Sequence, residues 1–283
     1  KVGDASSFAI DAQDNVWLIH RPHTLKGDAQ KMAAKPVVVF SPNGDVVKQW
    51  GGEAQGYEWP QREHGIFIDY QGNVWLGGNN CPGNGAPTKP VNDDQLLKFS
   101  QDGRFLLQIG KVNGSKGNAD TANLHRPADA QVYQPTNELF VADGYFNRRV
   151  IVFDADTGAY KRHWGAFGKK PDDSVTFPPR AQFLQGPSPQ SFNNPVHAVL
   201  VTNDDLVYVG SEDQRLHAVT ANRGKLAWTY YTEGPIRSSL VIWEGHIFLG
   251  SDDAHVHVVN VSNGRRAWRA EAGAPAGCLS PCH

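Results

Sequence analysis

Apolar and polar positions alternate along this chain in short runs broken by Gly, Asn, Asp and Pro, and one succession of runs returns five times. The first copy reads Phe8-Ala-Ile, Asn15-Val-Trp-Leu, Val37-Val-Val-Phe and Val46-Val-Lys-Gln-Trp50. The second reads Gly65-Ile-Phe-Ile, Asn73-Val-Trp-Leu, Leu96-Leu-Lys-Phe and Phe105-Leu-Leu-Gln-Ile109. A third runs from Ala130 to Trp164, a fourth from Ala198 to Trp228 and a fifth from Ser239 to Trp268. Period-two alternation over so few residues predicts half-buried β-strands, and the Asn-Gly, Asp-Gly and Thr-Gly pairs before the last run of a unit predict tight turns.

A unit of four short strands cannot bury both faces by itself. Stacking such units radially does so, which predicts an all-β chain folded as a β-propeller of four-stranded blades, five of them evident, in a five- or six-bladed ring. The second-strand anchors Val16, Val74, Leu139, Val207 and Ile247 lie 58, 65, 68 and 40 residues apart. Bare propeller repeats need roughly 40 to 50. The surplus falls in four segments rich in Gly, Pro, Asn and Lys (His20 to Lys35, Gly77 to Asp94, Gly110 to Arg126 and Gly168 to Asn194), expected to be loops over the faces of the ring. Residues 1–275 read as a single propeller, and 276–283 as a C-terminal tail.

Charge narrows the choice of partner. Twenty-seven Lys and Arg face 29 Asp and Glu, for a net charge of −2, with no basic stripe, so nucleic acid is not an expected partner. No run is long and apolar enough for a membrane-spanning helix, and the chain opens at Lys1, as a processed form would. An extracellular or periplasmic location is expected. The three cysteines are Cys81, Cys278 and Cys282; the last two are the obvious couple by proximity, which would leave Cys81 over.

Repeat register supplies the first candidate chemistry. His64 and His197 each stand ten residues ahead of their blade's second-strand anchor, a slot that faces the central channel of a propeller. Imidazoles from distant blades converging on one axis could hold a metal such as zinc or form a catalytic pocket. The same slot in the fifth copy holds Arg237, so this register gives two imidazoles, whereas a catalytic zinc normally has three protein ligands. His217, His246, His255 or His257 could contribute only from other strand positions.

The segment Phe140-Val-Ala-Asp-Gly-Tyr-Phe-Asn-Arg-Arg-Val-Ile-Val-Phe-Asp154 resembles an NHL repeat. Residues 1 to about 210 resemble peptidyl-α-hydroxyglycine α-amidating lyases, through His20-Arg21-Pro22, Glu63-His64-Gly65, Asp143-Gly144-Tyr145 and Asn194-Pro195-Val196-His197 in the same order. In that family zinc sits in the channel on three histidines, and an arginine and a tyrosine flank the substrate hydroxyl. The resemblance implies His64 and His197 as metal ligands, Arg21 and Tyr145 as catalytic residues, and a small peptide-like substrate. The family's third histidine has no counterpart at its place here.

From about residue 199 the blades resemble PQQ-type repeats instead, as in Val207-Tyr-Val-Gly-Ser and Ala221-Asn-Arg-Gly-Lys-Leu-Ala-Trp228. Their Gly and Trp are turn and packing residues, and the motif gives no support for a bound quinone. Cys278-Leu-Ser-Pro-Cys282-His283 has the form of a c-type haem attachment motif with one extra residue between the thiols, so those three residues are candidates to hold a haem. A disulfide is the competing expectation. Three functions follow: a zinc-dependent lyase, a noncatalytic propeller that binds a protein partner or copies of itself as a homo-oligomer, and a haem-bearing electron-transfer subunit.

Overall fold

The computed structural model describes residues 1–85, 87–175 and 191–275. They form twenty strands in five four-stranded antiparallel sheets, each sheet ordered as its strands occur in the chain, and the sheets are arranged as a β-propeller. Blade 1 consists of β1 (Asp4–Ile10), β2 (Val16–Arg21), β3 (Val37–Phe40) and β4 (Val46–Trp50). Blade 2 consists of β5 (Glu63–Ile68), β6 (Val74–Gly78), β7 (Gln95–Phe99) and β8 (Phe105–Gly110). Blade 3 follows with β9 (Asp129–Tyr133), β10 (Glu138–Asp143), β11 (Arg149–Asp154) and β12 (Tyr160–Trp164). Blade 4 has β13 (Val196–Val201), β14 (Leu206–Ser211), β15 (Arg215–Thr220) and β16 (Leu226–Tyr231). Blade 5 has β17 (Val241–Trp243), β18 (His246–Ser251), β19 (His255–Asn260) and β20 (Arg266–Glu271).

The alternation within strands becomes the packing between blades. Trp17, Ile19, Val37 and Val39 of blade 1 meet Val74, Leu76, Leu97 and Phe99 of blade 2 in one buried cluster. On the opposite face of blade 2, Trp75 and Leu96 pack against Leu139, Val141 and Ile151 of blade 3. The same division joins blade 3 to blade 4 and blade 4 to blade 5. Blades 2, 3 and 4 thus spend their odd and even positions on two different neighbours, which is how sheets of this length acquire a core.

Polar residues at the turns lock the hairpins. Asp11 and Asp69 each accept an indole N–H, from Trp17 at 2.8 Å and Trp75 at 2.9 Å, along with two backbone N–H groups of the turn between. This accounts for the Asp, Asn-Val-Trp pattern of the first two copies. In blade 3 the Asp143 carboxylate meets the Arg149 guanidinium at 2.8 Å with neither side chain exposed. Arg149 also donates to the carbonyls of Asn118 and Asn123, tying the β10–β11 hairpin to the long loop between β8 and β9. The Asp, Asn-x-Arg core of the NHL-like segment is therefore a structural clamp.

Cys81 is disulfide-bonded, which corrects the expectation that it would be the thiol left over. Cys278, Cys282 and His283, the candidate haem residues, lie outside the described residues.

Candidate active site in the central channel

The inner strands β1, β5, β9 and β13, and the segment leading into β17, line a central cavity of about 420 Å³ whose walls include Ser6, His64, Asp129, His197 and Arg237. These five residues occupy one slot of the repeat, ten residues before Val16, Val74, Leu139, Val207 and Ile247. In three blades the strand pairing shifts at that slot: between Ala5 and Ser7, between Glu63 and Ile66, and between Val196 and Ala198. A bulge turns one side chain out of the alternating pattern, and here those residues are Ser6, His64 and His197.

His64 and His197 converge with ring centroids 5.4 Å apart. Tyr145, from the turn joining β10 to β11, lies with its Oη 3.1 Å from Nε2 of His64 and 2.9 Å from Nε2 of His197. A phenol can donate one hydrogen bond and accept another, so one imidazole carries its proton on Nε2 and the other presents a lone pair there. All three side chains are buried. Burial, reinforced by His197 and the charges of Arg21 and Arg62, holds His64 well below the usual imidazole pKa. A neutral imidazole is the form that ligates metal.

Arg21, at the end of β2, donates from Nε to the carbonyl of Glu63 at 2.9 Å and from Nη2 to Ser6 Oγ at 2.9 Å. Ser6 in turn donates to the carbonyl of His64. The guanidinium is thereby fixed to the backbone that carries His64. The structure brings His64, Tyr145 and His197 into one constellation and ties Arg21 to it through Ser6 and β5.

Donor chemistry suits a metal in part. Two Nε2 atoms share a focus, but the Tyr145 oxygen occupies it and one Nε2 carries a proton, so an ion held by both would take the place of that oxygen and that proton. Among the described residues, however, no group of three His, Cys, Asp or Glu side chains is arranged to hold one ion. Asp129 shares the slot, but its carboxylate accepts the N–H groups of Ala130 at 2.9 Å and Val199 at 3.1 Å, joining blade 3 to blade 4. Arg237 is drawn to Glu212 and Asp252. His217 is buried on Asp213 at 2.7 Å, and His257 lies on Asp253 at 2.9 Å; both belong to third strands, away from the channel.

Ser6 and Asp129 were open to discovery from sequence by applying the ten-residue count to Val16 and Leu139 as well. Arg126 had no such signal. It is buried, adopts a positive φ of 59°, and its backbone carbonyl accepts the N–H of Tyr145 at 3.3 Å. Asp94 lies in the same neighbourhood, with one carboxylate oxygen buried and without a hydrogen-bond partner. Burial, with Asp143 and Asp93 adding repulsion, raises its pKa to about 7.

A carboxyl whose folded pKa lies above its unfolded value is easier to protonate in the folded state, so ionising it costs stability. That cost is absent below about pH 4, grows as pH rises and is complete above about pH 7. Asp94→Asn should therefore gain on the parent by about 3 kcal/mol between pH 4 and pH 8. Urea unfolding of both proteins at the two pH values checks this.

The fold and the channel residues define a class: a β-propeller with a histidine–tyrosine constellation on its axis. Comparison with known proteins relates the chain to the amidating enzymes. It is 26% identical to the peptidylglycine alpha-amidating monooxygenase of Rattus norvegicus, over 58% of this chain and 16% of that protein. It is 24% identical to the probable peptidyl-alpha-hydroxyglycine alpha-amidating lyase of Caenorhabditis elegans, over 55% of this chain and 42% of that one. The peptidyl-glycine alpha-amidating monooxygenase B of Xenopus laevis matches at 26% over 58% of this chain and 18% of its own length. The chain thus spans less than half the length of these relatives. A family model described as outer membrane protein assembly factor BamB, built on PQQ-like repeats, matches residues 146–281.

Proposed function

We propose that the channel is the active site of a metal-dependent lyase that cleaves a peptidyl-α-hydroxyglycine-type carbinolamide. The observation that carries this reading is the Tyr145 hydroxyl held between the Nε2 atoms of His64 and His197 in a water-accessible channel. Relatives named for amidating activity support the substrate class. His64 and His197 would hold zinc, which when bound supplies a Lewis acid for the substrate's hydroxyl oxygen.

The reaction needs a proton moved and a C–N bond broken. Tyr145 would relay the proton, giving its own phenolic proton to the departing nitrogen as it accepts that of the substrate hydroxyl. Arg21, held by Ser6 and Glu63, offers a fixed positive charge for the carboxylate or the developing oxyanion. The hydroxyl oxygen becomes the carbonyl of an aldehyde acid, the C–N electron pair stays with nitrogen, and the peptide leaves as an amide. Atoms balance without an oxidant.

An exported location accords with the disulfide at Cys81, since such bonds persist in oxidising compartments. No helix among the described residues is long and apolar enough to cross a membrane.

His64→Ala and His197→Ala test the metal assignment. Each should lower zinc binding by roughly 100-fold or more while circular dichroism stays that of the parent, because neither imidazole belongs to an inter-blade apolar cluster. Unchanged zinc affinity in both variants would remove these residues as ligands.

A further inference from the structure

Arg21, His64, Tyr145 and His197 gather at one end of the ring. His64 is the second residue of β5 and His197 the second of β13, Arg21 is the last of β2, and Tyr145 stands in the turn after β10. In an antiparallel blade the start of the first strand and the end of the second lie at the same end. A peptide whose last residue reaches Tyr145 from that end leaves its preceding side chain among the turns there. Of the residues flanking these four in sequence, only Phe146 is a large apolar side chain left exposed, at 57%.

The turn that carries Phe146 is seated between two neighbouring segments. On one side the Tyr145 N–H donates to the Arg126 carbonyl at 3.3 Å; on the other the Gly144 carbonyl accepts the N–H of Val196 at 3.3 Å, so near that a Cβ on Gly144 would strike the Val196 backbone. Asn194 adds a donation from Nδ2 to the Phe146 carbonyl at 2.6 Å. The Phe146 ring leans over the segment that enters β9, with its centroid 4.5 Å from that of the His125 ring and 4.7 Å from the Arg126 guanidinium carbon. Ala128 and Asp129, at the start of that inner strand, line the channel, so the ring lies on the channel side of its turn. Burial and the Arg126 charge push His125 down to a pKa of about 4, which keeps its imidazole neutral, and Arg126 is itself buried. The ring is thus fixed in place, and its support exposes no charge.

A rigid aromatic ring binds at low entropic cost, because it already holds the geometry its partner needs. We infer that Phe146, supported by His125, is a subsite for the side chain that precedes the hydroxyglycine, and that it selects aromatic and large aliphatic side chains there; this rests on the lyase reading above. Tyr145 and Phe146 are consecutive, as are the hydroxyglycine and the residue before it, and in both pairs the Cα atoms stand about 3.8 Å apart. One step along the substrate therefore corresponds to one step along the turn. A glycine at the preceding position leaves the ring in water, and an aspartate sets a carboxylate against an apolar face. The subsite holds the peptide and takes no part in moving the proton, so its effect falls on KM rather than on kcat.

Steady-state kinetics of the zinc-loaded 283-residue protein on acetylated substrates ending in Phe-, Leu-, Gly- or Asp-α-hydroxyglycine test the subsite. kcat/KM should be about tenfold or more higher for the Phe and Leu substrates, mostly through KM, and Phe146→Ala should bring all of them within about twofold of one another. Because Phe146 is exposed, the variant should unfold at the parent's midpoint, which thermal unfolding verifies. Calorimetric binding of two cleavage products, acetyl-Phe-amide and acetyl-Gly-amide, reads the subsite without turnover: the Phe amide should bind about tenfold tighter in the parent and no tighter in Phe146→Ala. Turnover without preference, or a preference that survives Phe146→Ala in turnover or in binding, would overturn the subsite and leave the lyase reading standing. No turnover with any substrate, alongside the expected difference in product binding, would sink the lyase reading and keep the subsite. Equal binding of the two products to the parent overturns the subsite whichever way turnover falls.

Discussion

Tyr145→Phe should lower kcat on a hydroxyglycine-extended peptide by about 100- to 10,000-fold while leaving KM within a few-fold. The phenol oxygen is the atom removed, and it is the one placed within 3.1 Å of both imidazole Nε2 atoms. A group that carries a proton only as the C–N bond breaks contributes to the transition state and little to substrate binding, hence the split between kcat and KM. Stability should fall by only about 1 to 3 kcal/mol, the scale of buried hydrogen bonds lost without a cavity, so unfolding curves will distinguish chemistry from collapse. Steady-state kinetics on parent and variant decide the matter, and a loss confined to KM would place the hydroxyl in substrate binding alone.

The largest effect on stability is expected at Arg149. Neither its guanidinium nor the Asp143 carboxylate is exposed, and they meet at 2.8 Å. Arg149→Met leaves that carboxylate in the core without its partner and strips the Asn118 and Asn123 carbonyls of their donors, a loss of about 3 to 5 kcal/mol or more. Asp143 also accepts from Asn147 and from the N–H of His125, so the turn that presents Tyr145 loosens with it. Chemical unfolding should report the destabilisation, and the remaining folded protein should show weakened turnover. Adding Asp143→Asn, which removes the stranded charge, should recover part of the stability.

Much of the fold could be read from the period of the apolar residues because almost every strand obeys it. The reading was weakest at the inner strands. Alternation placed their starts at Phe8 and Gly65, whereas β1 begins at Asp4 and β5 at Glu63. The reason is physical: bulges at Ser6, His64 and His197 break the period where polar side chains turn into the channel. Those departures mark the channel, so the residues hardest to place by pattern are ones that line it.

Register found His64 and His197 because both lie on inner strands. Tyr145 lies in a turn and Arg21 at the end of a second strand, where no period reaches the axis, and only resemblance to a known family pointed to them.

The proposed function stands or falls on whether the channel cleaves the C–N bond of a peptidyl-α-hydroxyglycine. The most direct measurement incubates the purified protein, saturated with zinc, with an α-hydroxyglycine-extended peptide and quantifies amide and aldehyde acid by mass spectrometry and chromatography. Both products are expected in equal amounts, at a rate well above the spontaneous reaction and suppressed by Tyr145→Phe. Product formation no faster than the spontaneous rate, with the protein folded and zinc bound, would contradict it.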